Sequence, residues 1–188
     1  MAVAFAPDHT AGVSPGTLEE TARWVGAARW LELRCFELLG GWVTTTPEPD
    51  VKLAFARQSH HHAWHAELFE RVLPSANGFS ADGLVTAPDD AWTALLDDLV
   101  ALATTSDRLV GAYDVLMPGK LEEYERWHGM VDPVQDAPLR RWLGFVVMDE
   151  HADLAEGRAL LEDRGAAATA LRRAELVEAH ERAGRLLR

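Results

Sequence analysis

The sequence predicts an all-α protein, with four long helices sharing one core and a shorter helix at the C-terminal end. Apolar residues recur at three- and four-residue spacing through four long stretches, which is the period of one helical face. No stretch alternates as a half-buried strand does. Gly- and Pro-bearing turns separate the stretches, and one connector is long enough to cross the length of a bundle.

The first segment, 17–42, opens on Thr17-x-x-Glu20, a capping-box pattern, and closes at Gly40-Gly41. Its apolar stripe is Trp24, Ala28, Leu31, Cys35, Leu38, Leu39 and Trp42, and Glu32 falls inside that stripe. A short turn with Pro47 and Pro49 leads to segment two, 48–73, so the two are antiparallel neighbours. Segment two buries Val51, Phe55, Phe69, Val72 and Leu73, with Gln58, His62 and His65 in the middle of the same face.

The connector 74–87 follows. Extended at about 3.3 Å per residue it spans roughly 45 Å, against about 39 Å for a helix of 26 residues. It can therefore cross the bundle and start segment three, 88–117, parallel to segment two. That segment's stripe is Leu95, Leu99, Leu102, Leu109, Val110 and Leu116, with Ser106 and Tyr113 as its inward polar groups. Pro118-Gly119 is expected to break or kink it, and the charged stretch KLEEYERWH reads as a short exposed helix. Segment four, 136–163, buries Leu139, Trp142, Leu143, Val146, Leu154, Leu160 and Leu161, with Glu150 and Asp153 central to that face and Gly165 as C-cap.

The expected organisation is a loose arm over 1–16, a bundle over 17–163 and a C-terminal helix over 164–188 packed on it. The arm lacks the basic start of a signal peptide. No apolar run reaches membrane-spanning length, and a net charge of −12 repels nucleic acid and anionic lipid. The single cysteine, Cys35, fits a reducing cytoplasm. The absence of isoleucine and the presence of only two lysines point to a GC-rich bacterial genome. Trp30, Trp64 and Phe145 lie off the core stripes and call for a cover, either the C-terminal helix or a second subunit in a homodimer.

Five ionisable groups point inward: Glu32, His62, His65, Glu150 and Asp153. Left uncompensated, each would cost several kcal/mol. A divalent ion with imidazole and carboxylate ligands removes that cost, and the mixture suits iron, manganese or zinc. A metal-free hydrogen-bonded network of the same groups is the other reading.

The arrangement resembles the ferritin-like di-iron carboxylate superfamily, which includes bacterial hydroxylases such as the tRNA-modifying and phenylacetyl-CoA enzymes. The family sets a Glu on each of two helices and Glu-x-x-His on the other two, in a bundle with one long crossover. Glu32 matches the first-helix Glu. His62-x-x-His65 occupies the first Glu-x-x-His with His in place of Glu, and Glu150-x-x-Asp153 the second with Asp in place of His. The third-helix Glu has no match, since Ser106 or Tyr113 stands there. The resemblance implies a ferritin-like four-helix bundle with one long crossover and an additional C-terminal helix. It also implies a non-haem iron or manganese oxidase or oxygenase acting on a small organic substrate. Glu32, His62, His65, Glu150 and Asp153 would hold one or two ions, Tyr113 would act beside them, and Gln58 would support the ligands. The departures leave open a metal-free relative that serves as a ligand-binding or interaction scaffold.

Overall fold

The computed structural model describes residues 17–74, 80–164 and 170–187. Among the described residues every regular element is helical: α1 (Leu18–Val43), α2 (Pro49–Val72), the single turn α3 (Ala81–Leu84), α4 (Asp90–Val100), α5 (Thr105–Val110), a π-helical segment (Gly111–Leu116), α6 (Met117–Met130), α7 (Ala137–Asp163) and α8 (Ala170–Ala183). The N-terminal arm, the residues 75–79 of the connector and Gly165 lie outside the described residues. No described helix is long and apolar enough to cross a membrane.

The capping box at Thr17 forms as the sequence predicts, with the Thr17 side chain and backbone each bonded to Glu20. α1 and α2 then pack antiparallel along their length. Trp42 meets Phe55, Ser59 donates to the Phe36 carbonyl at 2.9 Å, and Arg29 pairs with Glu70 at the far end.

The third segment differs from expectation in both its limits and its place. The helix expected over 88–117 stops at Val100 and restarts at Thr105, where the Thr104 side chain caps the Asp107 amide. α3 and α4 lie along α1. The Leu84 carbonyl sits only 2.2 Å from where a Cβ on Gly26 would stand, so only glycine fits there. Arg34 of α1 pairs with Asp97 of α4. Among the described residues between α2 and α5, two helical stretches, α3 and α4, precede Thr104. Thr105 bonds to Glu48 at 2.6 Å and Arg108 bonds to Thr46, which anchors α5 at the α1–α2 turn.

From there one helical run, 105–130, returns the length of the molecule until Trp127 meets Trp24 near the start of α1. It passes through Pro118-Gly119 without stopping. The π-helical segment just before the proline places the Met117 amide on the Ala112 carbonyl, five residues back. That extra residue per turn accommodates a proline that has no N–H to offer. Residues 119–129 are therefore not an exposed helix: Lys120, Leu121, Tyr124 and Trp127 are buried. α7 closes the molecule. Arg140 bonds to the His128 and Val131 carbonyls at one end, and Arg164 pairs with Asp50 at the other.

α8 packs on α4, α5 and the π-helical segment, burying Leu176, Ala179 and Ala183. His180 lies edge-on to Trp92 and fills the space beside Gly119, so it is half-buried. On α2 and α7, Trp64 and Phe145 lie tilted to each other with ring centroids 6.3 Å apart, and Trp64 stays 37% exposed.

Candidate metal centre

Glu32 sits mid-way along α1 on the stripe that faces α2. His62 and His65, three residues apart, leave one face of α2 towards it, and Glu150 reaches in from α7. All four are at most 1% exposed. One donor atom from each lies within 4.8 Å of every other. His62 Nδ1 is 2.7 Å from Glu32 Oε2, and His65 Nδ1 is 3.3 Å from the same oxygen. Both imidazole Nδ1 atoms stand 3.5 Å from Glu150 Oε1.

Ligand atoms each about 2.0–2.2 Å from a shared tetrahedral ion lie roughly 3.3 Å apart. The donor set therefore fits a divalent ion in both chemistry and spacing. The outer contacts fit as well. His65 Nε2 is 3.2 Å from Asp149 Oδ2, the carboxylate backing that orients a ligating histidine. His62 Nε2 is buried with no partner, so its ring is held only from the cluster side.

α6 contributes two further groups, both buried. Lys120 Nζ lies 2.6 Å from Glu150 Oε1, 3.2 Å from Glu32 Oε1 and 3.2 Å from His62 Nδ1. Tyr124 donates to Glu32 Oε1 at 2.7 Å. His62 Nδ1 is thus asked to donate to Glu32 and to accept from Lys120, and one tautomer can do only one of these. An ion shared by Nδ1 and Oε2 would remove the conflict, because both atoms would then direct lone pairs at it.

Electrostatics bind the group together. Burial opposes ionisation of Glu32, yet the Lys120 ammonium and the His62 ring hold its carboxyl well below the usual range. Glu150 behaves alike: burial pushes it up, but Lys120 and the two histidines bring it down to about 2. For His65 burial disfavours the charged ring, while hydrogen bonds to Glu150 and Glu32 overcome that and raise it to about 10. Burial likewise disfavours the Lys120 ammonium, and the two carboxylates more than restore it.

Two expected members stand elsewhere. Asp153 is buried but turns to His61, whose Nδ1 is 2.8 Å from its Oδ2, while its backbone carbonyl accepts from Gln58. Three residues along α7 leave it about 60° round the helix from Glu150, and its shorter side chain meets α2 at His61. Burial raises the Asp153 carboxyl above its ordinary value. Tyr113 donates to Gln58 Oε1 at 2.8 Å and packs its ring on Gly157 and Phe55, so its hydroxyl serves a separate polar layer. Gln58 belongs to that layer too, bonded to Glu156, which Arg57 also holds.

Sequence reasoning missed Lys120 and Tyr124. The signal was present: Lys120, Tyr124 and Trp127 are spaced four and three apart, which is an inward face interleaved with outward Glu122 and Glu125. His61 and Asp149 were missed because each flanks an inward residue: Asp149 touches the cluster from its rim, and His61 holds Asp153. No protein-family model, curated protein or solved structure matches this chain.

Proposed function

We propose that this chain is a divergent ferritin-like four-helix bundle with one crossover. It would hold one divalent transition-metal ion on Glu32, His62, His65 and Glu150 and act as a non-haem metal oxidase or oxygenase on a small organic substrate. The observation that carries this reading is the convergence of two imidazole nitrogens and two carboxylate oxygens within 4.8 Å of one another among buried residues. The path of the chain also supports it, because α1, α2, the run 105–130 and α7 surround the cluster while α3 and α4 make the crossing.

An iron or manganese ion bound there would supply one-electron chemistry towards dioxygen. The protein's own part is to place and insulate the ion. Asp149 orients His65, while Tyr124 and Lys120 fix the outer oxygen of Glu32 and so aim the inner one at the histidines. A cavity of about 510 Å³ between α4, α6 and the end of α8 has Trp92, Gly119, Lys120, Arg126 and His180 in its wall. It is large enough for a small organic molecule, and Lys120 links it to the cluster.

A second reading has its own support. Lys120 already neutralises the carboxylates, so the same cluster can exist as a metal-free polar network in an interaction or ligand-binding module. Metal analysis of untagged protein, with oxygen uptake after reconstitution with Fe(II), separates the two. Stoichiometric iron or manganese with oxygen consumption supports the oxidase reading. No metal in the protein as isolated, and none taken up on titration, supports the module.

A further inference from the structure

Glu32 divides its two oxygens between two different pairs of neighbours. Oε2 faces the imidazoles of His62 and His65, at 2.7 and 3.3 Å. Oε1 faces the Lys120 ammonium at 3.2 Å and the Tyr124 hydroxyl at 2.7 Å. One carboxylate thus spans two adjacent cation positions, one lined by the histidines and one filled by Nζ, which itself lies 3.2 Å from His62 Nδ1. Glu150 touches both as well, with Oε1 2.6 Å from Nζ and 3.5 Å from each imidazole Nδ1.

We propose that Lys120 stands as a built-in cation in the second position, limits the centre to a single metal ion and weakens the hold on that ion. This rests on the metal-centre reading and deepens it. Glu32 and Glu150 together bring two negative charges, of which Lys120 takes one. A single divalent ion therefore leaves the buried group with one net positive charge, and two such ions would leave three. Asp149, 3.2 Å from His65 Nε2, adds one further carboxylate at the rim, so two ions would still leave a positive excess on donors that are all buried. The Coulomb term between a divalent ion and an ammonium a few ångströms away is large where water is excluded.

The Lys120 side chain is fully buried, and its Nζ is held by Glu150, Glu32 and His62 at 2.6, 3.2 and 3.2 Å. Only two lysines occur in the chain, and the other, Lys52, lies near the start of α2, away from the site.

The test is a Co(II) titration of the metal-stripped full-length chain, followed by d–d absorption and equilibrium dialysis, on four proteins. Wild type should take up one ion. Lys120→Gln, which keeps a hydrogen-bond donor and removes the charge, should bind Co(II) at least about tenfold more tightly. Lys120→Arg, which keeps the charge, should bind no more tightly than wild type. Lys120→Glu should take up two ions, with a spectrum distinct from the one-ion form. Two ions in wild type would overturn the proposal without any variant being needed. So would a Lys120→Gln affinity within twofold of wild type, which would leave the metal-centre reading standing. Co(II) uptake by Lys120→Gln but not by wild type would overturn the one-ion centre and reject the native chain as a metal enzyme. Uptake by none of the four would reject both.

Discussion

Tyr124 holds Glu32 from behind: its hydroxyl donates to Oε1 at 2.7 Å, on the side away from the two histidines, and both side chains are fully buried. The bond ties α6 to α1 through a charged acceptor. Burial and the adjacent Glu32 carboxylate both push the Tyr124 phenol well above its ordinary pKa, so it remains a donor throughout the working pH range.

Tyr124→Phe removes that donor and little else, since Phe fills the same space against Phe69. A buried hydrogen bond to a charged group is worth about 1.5–3 kcal/mol. Urea unfolding of Tyr124→Phe should therefore show a loss of that order, with Lys120 left as the sole donor to Oε1. A loss under about 0.5 kcal/mol would mean the hydroxyl contributes little to placing Glu32.

His65→Ala removes one ligand atom and one positive charge from the buried group. Metal uptake should fall below detection by equilibrium dialysis. The metal-stripped variant should also lose about 3–5 kcal/mol of stability, because Glu32 and Glu150 are left short of a partner. Stoichiometric metal retained by this variant would remove His65 from the site.

Three of the helices and four of the inward polar groups were legible because period and burial agree along α1, α2 and α7. Glu32, His62, His65 and Glu150 each break an otherwise apolar stripe, and each is buried. The run 105–130 was not legible, for a physical reason. Its π-helical segment inserts one residue of phase, so a face followed at a constant 100° per residue is lost after Leu116. Pro118-Gly119 then resembles a stop, and the glutamates beside Lys120 resemble a solvated surface. Thr104-x-x-Asp107 did announce a new helix start, but the apolar spacing of Leu99, Leu102 and Leu109 carries across the break and conceals it. Asp153 shared the inward face with Glu150, and period alone could not show that its short side chain would end at His61.

Gly157 is held by packing, since a Cβ there would stand 2.2 Å from the Tyr113 ring. The ring is buried between α2 and α7, stacked on Phe55 and hydrogen-bonded to Gln58, so it has no room to withdraw. Gly157→Ala should destabilise by about 1–3 kcal/mol through overpacking. Gly41→Ala is the matched control: nothing lies within 4 Å of its Cβ position on exposed α1 surface, and helix propensity should stabilise it by up to about 1 kcal/mol. Thermal melts of the pair should move in opposite directions, and a shared sign would contradict the packing account.

The metal-stripped protein should have a pH window of greatest stability set by its buried charges. His65 is raised from 6.5 to about 10 when folded, so its contribution is complete below pH 6.5 and fades as pH climbs towards 10. Glu150 is lowered from 4.5 to about 2, so its contribution is complete above pH 4.5 and fades as pH falls towards 2. Glu32 moves the same way as Glu150. The cluster therefore stabilises most between about pH 4.5 and 6.5. His128 and His180, whose rings burial pushes down, act in the opposite sense below 6.5 and blur the acid side. The alkaline limb is the clean readout. Unfolding free energy measured from pH 6 to 10 should decline in wild type and decline much less in His65→Gln, so that the gap between them narrows as pH rises. A gap that stays constant over that range would mean the buried imidazole is not a folded-state cation and that the cluster is balanced in some other way.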